Sequence, residues 1–197
     1  MHNEHTPLVL ASSSPFRREL LRRLGLTFLC DNPDVDESRL ADEPAEALVQ
    51  RLALAKAQAV AQRHPGSLVI GSDQVAVLED GSILGKPGSA ERAAEQLLQA
   101  SGSSVTFLTG LCLYNAANGS HQLCCEPFQV HFRKLSRAAI ESYIKKEQPF
   151  NCAGSFKSEG LGITLFRRLQ GDDPNALIGL PLIRLTDMLA AEGIALP

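Results

Sequence analysis

The sequence predicts a mixed α/β fold, with a mixed central sheet in two lobes. Three observations predict it. Leu68-Val69-Ile70 runs without polar alternation into Gly71-Ser72-Asp73-Gln74, the pattern of a central strand buried on both faces. Strand and helix patterns alternate through the first half, as they do where helices cover a sheet. The second half contains two long extended runs joined through Asn118-Gly119, a strong hairpin signal. The 197 residues are expected to form a single domain, 1–197, of two lobes with no separable linker, repeat or low-complexity segment.

Taken in order, residues 8–11 form a short apolar strand, and Ser12-Ser13-Ser14-Pro15 follows at once. Ser14 is suited to cap a helix and Pro15 to be its first residue, so residues 15–24 are helical and Gly25 ends them. Residues 26–30 return as a strand into the acidic loop 31–37. The clearest helix, 44–64, is closed by Pro65-Gly66, and Lys56 falls inside its apolar stripe of Val49, Leu52, Ala53 and Val60. The central strand continues extended over 75–78, turns at Glu79-Asp80-Gly81-Ser82 and comes back as Ile83-Leu84, delivering Gly85-Lys86-Pro87. Ser89 caps a helix over 90–100 and Ser101-Gly102 stops it. Residues 105–114 and 123–132 make the long hairpin, with Phe128, Val130 and Phe132 on one face and His131 on the polar one. Ser136 caps the helix 137–147. Residues 151–162 are an irregular glycine-rich loop, 171–175 a turn, and Gly179-Leu180-Pro181-Leu182 leads into the last helix.

Composition excludes several function classes. No apolar run approaches the ~20 residues of a membrane span, and the first residues lack the pattern of a secretory leader, so a cytoplasmic protein with no membrane partner is expected. Five cysteines, Cys30, Cys112, Cys124, Cys125 and Cys152, include no Cys-x-x-Cys pair, which argues against a zinc site or a disulfide framework and for reduced, mostly buried thiols. A net charge of −3 without a basic run makes nucleic acid an unsuitable partner.

Several residues stand where chemistry is possible. Asp73, at the carboxyl end of the central strand, either caps a turn or serves a ligand cleft. The serine-rich turn with Arg17 and Arg18 at a helix start is either a plain capped helix or an anion site of backbone N–H groups, hydroxyls and guanidinium forks. Lys56 either snorkels or reaches inward. Residues 31–37 are either solvated surface or hard oxygen donors for Mg²⁺. Glu159 is either an exposed loop carboxylate or a reader of a base edge. One acid, an anion-binding helix start, two inward lysines and an acidic loop form the set that phosphoryl chemistry on a nucleoside triphosphate requires. Neither a Gly-x-x-x-x-Gly-Lys-Ser/Thr loop nor a Gly-x-Ser-x-Gly elbow is present.

Leu10-Ala11-Ser12-Ser13-Ser14-Pro15-Phe16-Arg17-Arg18, Val35-Asp36-Glu37, Gly71-Ser72-Asp73-Gln74, Gly85-Lys86-Pro87, Ala153-Gly154 and Gly179-Leu180-Pro181 resemble, in order and spacing, the Maf family of nucleotide pyrophosphatases. The resemblance implies a two-lobed fold with an interlobe cleft, similar to the inosine triphosphate pyrophosphatases. It also implies hydrolysis of a nucleoside triphosphate to the monophosphate and pyrophosphate with a divalent metal, Mg²⁺, Mn²⁺ or Co²⁺. Asp73 then matches the proton acceptor, Ser12, Arg17, Lys56 and Lys86 the triphosphate-binding positions, and Glu37, with Asp73, the metal-side acids. Phe16, Gln74 and Glu159 occupy the positions that select the base. Ser-Pro-aromatic-Arg-Arg with Phe-Lys-Ser-Glu-Gly looks like the branch that acts on 7-methyl-GTP, whose cationic base favours an aromatic face and a carboxylate acceptor. That branch usually carries Trp at the position of Phe16, and Phe gives a cation–π contact weaker by ~1 kcal/mol. The alternatives are a pyrophosphatase for dTTP, UTP or another modified nucleotide, and a nucleotide-binding regulator of septum formation. Family members are often dimers, and the resemblance extends a homodimer to this chain as an expectation.

Overall fold

The computed structural model describes residues 6–197. In chain order the described strands and α-helices are β1 (Leu8–Ala11), α1 (Pro15–Arg22), β2 (Leu29–Asp31), α2 (Ala45–Ala61), β3 (Leu68–Leu78), β4 (Ile83–Leu84), α3 (Ala90–Ala100), β5 (Ser104–Asn115), β6 (His121–Phe132), α4 (Arg137–Glu147), β7 (Phe166–Gln170), α5 (Pro174–Ile178) and α6 (Leu182–Ala191), with short 3-10 helices at Ala153–Ser155 and Leu161–Leu165. The strands make one mixed sheet in the order β2-β1-β3-β5-β6-β7, with β4 paired to β3. The mixed α/β class expected from the sequence is the one observed. The chain divides into two compact units. The first comprises the segment ending at Asp73, Thr109–Glu126 and Gly179–Pro197; the second comprises Gln74–Leu108 and Pro127–Ile178.

In the first unit β1 lies parallel to β3, Leu8 opposite Leu68 through Ala11 opposite Gly71, and parallel to β2 on its other side. All four β1 residues are buried, as their unbroken apolar run requires. Ser14 caps α1 by accepting from the Arg17 N–H at 3.4 Å. Helix α2 buries Leu48, Val49, Leu52, Ala53, Lys56, Ala57 and Val60, a stripe recurring every three to four residues. Two glycines let it approach closely. A Cβ on Gly71 would overlap the Ala53 carbonyl oxygen and sit 2.9 Å from the Ala57 nitrogen. One on Gly110 would overlap the Val49 carbonyl oxygen. Val49, Ala53 and Ala57 are spaced by four, so a single face of α2 rests its backbone on both strands.

The second unit has its own core. Phe107, Phe132, Phe156 and Phe166 pack edge to face with centroids 4.7–5.7 Å apart, among Leu97, Ile140 and Leu177. Ser89 and Ser136 cap α3 and α4 as predicted. Strand β4 pairs antiparallel with β3, Ala76 opposite Leu84 and Val77 opposite Ile83.

The structure corrects four local expectations. Asp73 lies midway along a strand of 11 residues, Leu68–Leu78, rather than at its carboxyl end, because the extended run over 75–78 is part of the same strand. Strand β7 was not foreseen: after Phe166 its residues are all exposed, so it carries no apolar alternation to betray it. Residues 174–178 are helical, because Asp173, 1% exposed, accepts from the Asn175 N–H at 2.8 Å and Pro174 supplies the first helical φ. The thiols are less buried than expected: of the five only Cys112 is buried, Cys124, Cys125 and Cys152 are half-buried, and Cys30 is exposed, since β2 lies at the sheet edge and is only three residues long.

Candidate functional site

The centre of the first unit's chemistry is a lysine between two acids. Strand periodicity puts Gly71 and Asp73 on the same face of β3, the face that α2 covers. The close approach at Gly71 therefore brings Lys56, beside Ala57, against Asp73. Lys56 Nζ lies 2.7 Å from Asp73 Oδ1 and 2.7 Å from Glu37 Oε1. Lys56 is 5% exposed and Asp73 8%, whereas the Glu37 side chain is 56% exposed. Two of the three charges are thus withdrawn from water, where a lysine left unpaired would be strongly unfavourable. The inward reading of Lys56, rather than snorkelling, is the one the geometry assigns.

Glu37 is delivered by a braced loop. Asp36 Oδ1 accepts from the Ser38 N–H at 2.9 Å, and Arg51 of α2 donates to the Ser38 carbonyl at 3.0 Å. Arg51 also grips Glu43 with both ends of its fork, Nε to Oε1 at 2.6 Å and Nη2 to Oε2 at 2.9 Å. That grip pulls the Glu43 carboxyl down to about 2. At the start of the same loop Asp31 accepts from Arg63 at 2.9 Å and meets His64 at 2.8 Å, and these hydrogen bonds hold it at about 2.

The helix start next to Asp73 is organised by one carbonyl. Gly179, at φ +123, presents its oxygen to Arg17 Nε at 2.8 Å and to the Ser72 hydroxyl at 3.0 Å. Arg17, half-buried, is thereby held inward, while Arg18 is exposed. Burial lowers the Arg17 guanidinium from its ordinary value, and the negative fields of Asp73 and Glu37 oppose that fall. A guanidinium starts so high that it keeps its charge. Ser12, 6% exposed, accepts from the Ser14 N–H at 3.1 Å, so its hydroxyl proton is not spent in that bond. Phe16 is half-buried beside Arg17 in the first turn of α1. The Ser72–Gly179–Arg17 link was not foreseen; the only signal for it was the Gly179-Leu180-Pro181 motif itself.

Gln74, Lys86 and Glu159 belong to the second unit. Gln74 Nε2 donates to the Ala176 and Leu177 carbonyls at 2.7 and 3.2 Å, so both of its amide protons hold α5. Lys86 is exposed, two residues past Leu84, where the β3–β4 ladder ends. Glu159 is exposed at the tip of its loop. Lys86 and Glu159 both act on Cys152, whose thiol is raised first by burial, then by Glu159, with Lys157 and Lys86 opposing.

As for a metal, no cluster of three or more His, Cys, Asp or Glu occurs among the described residues. The donor chemistry nonetheless fits a hard divalent cation. Glu37 and Asp73 already direct one oxygen each at a single positive charge, and Mg²⁺ characteristically takes one or two carboxylates and completes its shell with phosphate oxygens and water.

The Maf-like protein family model matches residues 7–192. The chain belongs to the Maf family. Curated relatives carry that membership over nearly the full length. A protein named 7-methyl-GTP pyrophosphatase from Pseudomonas savastanoi pv. phaseolicola is 62% identical over 190 residues, covering 96% of this chain and 98% of that protein. Proteins of the same name from Alcanivorax borkumensis and Pseudomonas aeruginosa are each 60% identical, over 195 and 190 residues; the first alignment covers 98% of each chain, the second 96% of this chain and 98% of that protein. Among solved structures, a HAM1 protein from Coxiella burnetii aligns over 66% of this chain and 74% of that chain, at 18% identity and a TM-score of 0.48. As a Maf protein the chain has its family motifs on β1–α1, on the loop before α2, on β3 and at the start of α6. Among the described residues no helix is long and apolar enough to cross a membrane.

Proposed function

We propose that this Maf protein hydrolyses 7-methyl-GTP to 7-methyl-GMP and pyrophosphate. The observation that carries the reading is the buried Asp73 carboxylate, 2.7 Å from Lys56 Nζ, in a chain about 60% identical to curated 7-methyl-GTP pyrophosphatases. In this reading Asp73 accepts a proton from a water that attacks the α-phosphorus. The new bond joins water oxygen to phosphorus, the α–β bridging bond breaks, and pyrophosphate leaves. Ser12, Arg17, Lys56 and Lys86 bind the triphosphate and neutralise its charge. Lys56 does so by exchanging a carboxylate partner for a phosphate oxygen. Glu37 and Asp73 would hold the divalent cation, Mg²⁺, Mn²⁺ or Co²⁺; when bound, it supplies positive charge to the phosphate oxygens.

For the base, Phe16 offers a face to the cationic methylguanine and Glu159 accepts from its N1–H and exocyclic amine. Gln74, whose amide protons hold α5, contributes to selectivity by fixing that helix rather than by donating to a base. The substrate partner is a modified nucleoside triphosphate, with a homodimer as assembly and the cytoplasm as compartment.

The test is pyrophosphate release from 7-methyl-GTP, GTP, dTTP, UTP and inosine triphosphate with Mg²⁺, using Asp73→Asn as the blank. Preferential cleavage of 7-methyl-GTP, abolished in Asp73→Asn, is the expected outcome. Preferential cleavage of dTTP or UTP would retain the Asp73 chemistry and reject the base assignment. Binding without turnover of any substrate would instead favour the nucleotide-binding regulator.

A further inference from the structure

Helix α4 ends on an acid, against its own dipole. A carboxylate in the last turn faces the negative end of the helix, where Lys145 and Lys146 are the favourable residues and Glu147 is not. What Glu147 does instead is hold the loop that carries Glu159. Its Oε1 accepts from the Leu161 N–H at 3.0 Å, and its backbone carbonyl, one of the helix's orphan acceptors, takes the Lys157 ammonium at 2.7 Å. One turn earlier Tyr143, 5% exposed, accepts from the Lys157 N–H through its hydroxyl at 3.0 Å.

The loop is shaped to take this grip. A Cβ on Gly160 would come within 2.8 and 2.9 Å of the two Glu147 carboxylate oxygens, so a side chain there would push the carboxylate out of its present position. A Cβ on Gly162 would overlap the Lys157 carbonyl, which also accepts from the Gly160 N–H at 3.2 Å, so the loop closes on itself. Residues 157 and 161 are thus pinned at both ends, and Glu159 stands exposed midway between the pins. The Glu147 side chain is 18% exposed and Leu161 42%, so the bond between them lies at the surface, closed off on the Glu147 side.

We propose that Glu147 is a positioning residue for base selection: it fixes the 157–161 loop on α4 so that the Glu159 carboxylate is presented ready-made to the substrate base. The proposal deepens the assignment of Glu159 above and rests on it. A carboxylate on an unpinned loop would have to be ordered by the substrate itself, weakening binding of the methylated base before chemistry begins.

The experiment compares wild type, Glu147→Ala, Glu147→Gln, Glu159→Gln and the Glu147→Ala/Glu159→Gln double variant. It measures kcat and KM for 7-methyl-GTP and GTP, and hydrogen exchange at the Leu161 amide. Glu147→Gln keeps an oxygen acceptor for Leu161 and is the variant whose folding is least at risk. Glu147→Ala is expected to lower the 7-methyl-GTP over GTP ratio of kcat/KM by about tenfold, the worth of one hydrogen bond to a charged acceptor. That fall should lie mainly in KM, with faster exchange at Leu161. Glu147→Gln should recover most of the ratio, and in the Glu159→Gln background Glu147→Ala should lower it no further. Three outcomes overturn the proposal: an unchanged ratio in Glu147→Ala when Glu159→Gln lowers it, an equal additional fall in the double variant, or unchanged exchange at Leu161. An unchanged ratio in Glu159→Gln itself instead rejects the base assignment, and the proposal with it.

Discussion

Lys56 brings a full positive charge into a site where its two carboxylate partners differ in exposure. The Asp73 end is nearly dry and the Glu37 end is wet, so the pair with Asp73 is the one whose loss should register in stability. Lys56→Ala is expected to destabilise by about 3 kcal/mol, because it leaves a buried carboxylate uncompensated. Adding Asp73→Asn should recover part of that loss. Urea unfolding of the two singles and the double reads the coupling; strict additivity would mean that the ion pair contributes nothing. Phe16 is the other residue with a consequence of its own. Phe16→Trp enlarges the aromatic face, and a gain of ~1 kcal/mol in the cation–π contact corresponds to roughly a fivefold rise in preference for 7-methyl-GTP over GTP. Competition kinetics with the two nucleotides measures it, and an unchanged preference would remove Phe16 from contact with the base.

Helix α2 and the loop before it set the geometry of these residues. The helix rests on β3 and β5 through Gly71 and Gly110, and a methyl group at either would strike backbone rather than a side chain that could move aside. Gly71→Ala is therefore expected to cost at least about 3 kcal/mol and, because it lifts α2 from the strand that bears Asp73, to abolish turnover as well. Gly66→Ala on the turn after the helix meets nothing within 4 Å and serves as the control, penalised only for its φ of +77. The loop's braces predict a pH dependence. Glu43 and Asp31 sit at about 2 in the folded chain, below the ordinary 4.5 and 3.8. A depressed carboxyl stabilises the fold above its unfolded value and loses that contribution as pH falls towards its folded one. Melting temperature should accordingly fall between about pH 4.5 and pH 2, and Glu43→Gln should flatten the part of that slope owed to Arg51. Equal slopes in wild type and variant would assign the acid sensitivity elsewhere.

At the scale of the molecule, each unit has a core of its own kind. The first is aliphatic: large leucines and Ile70 are buried in it, and the cluster under α2 is of small residues, Val9, Ala11, Ala53, Ala57, Val60 and Val69, as a helix pressed onto a sheet demands. The second is aromatic, and Phe107, 1% exposed, packs on Phe156 at 5.1 Å and crowds Gly154, where a Cβ would come within 2.9 Å of its ring. Phe107→Ala should cost about 4 kcal/mol by urea unfolding, and a loss below 1 kcal/mol would mean that the aromatic cluster closes over the gap. The sequence by itself determined the mixed α/β class, the capped starts of α1, α3 and α4 and the hairpin of β5 and β6, because cap residues, apolar period and turn chemistry are local. Through motif order it also determined the family. It could not show β7, whose exposed residues carry no period, nor α5, whose capping aspartate reads equally as a turn. Only the tertiary structure decided which face of β3 Asp73 occupies, that Lys56 spans Asp73 and Glu37, that one glycine carbonyl holds Ser72 and Arg17, and that Glu147 pins the loop of Glu159. Each of those is a contact between residues far apart in the chain, fixed by how closely two backbones approach, and no local pattern encodes that distance.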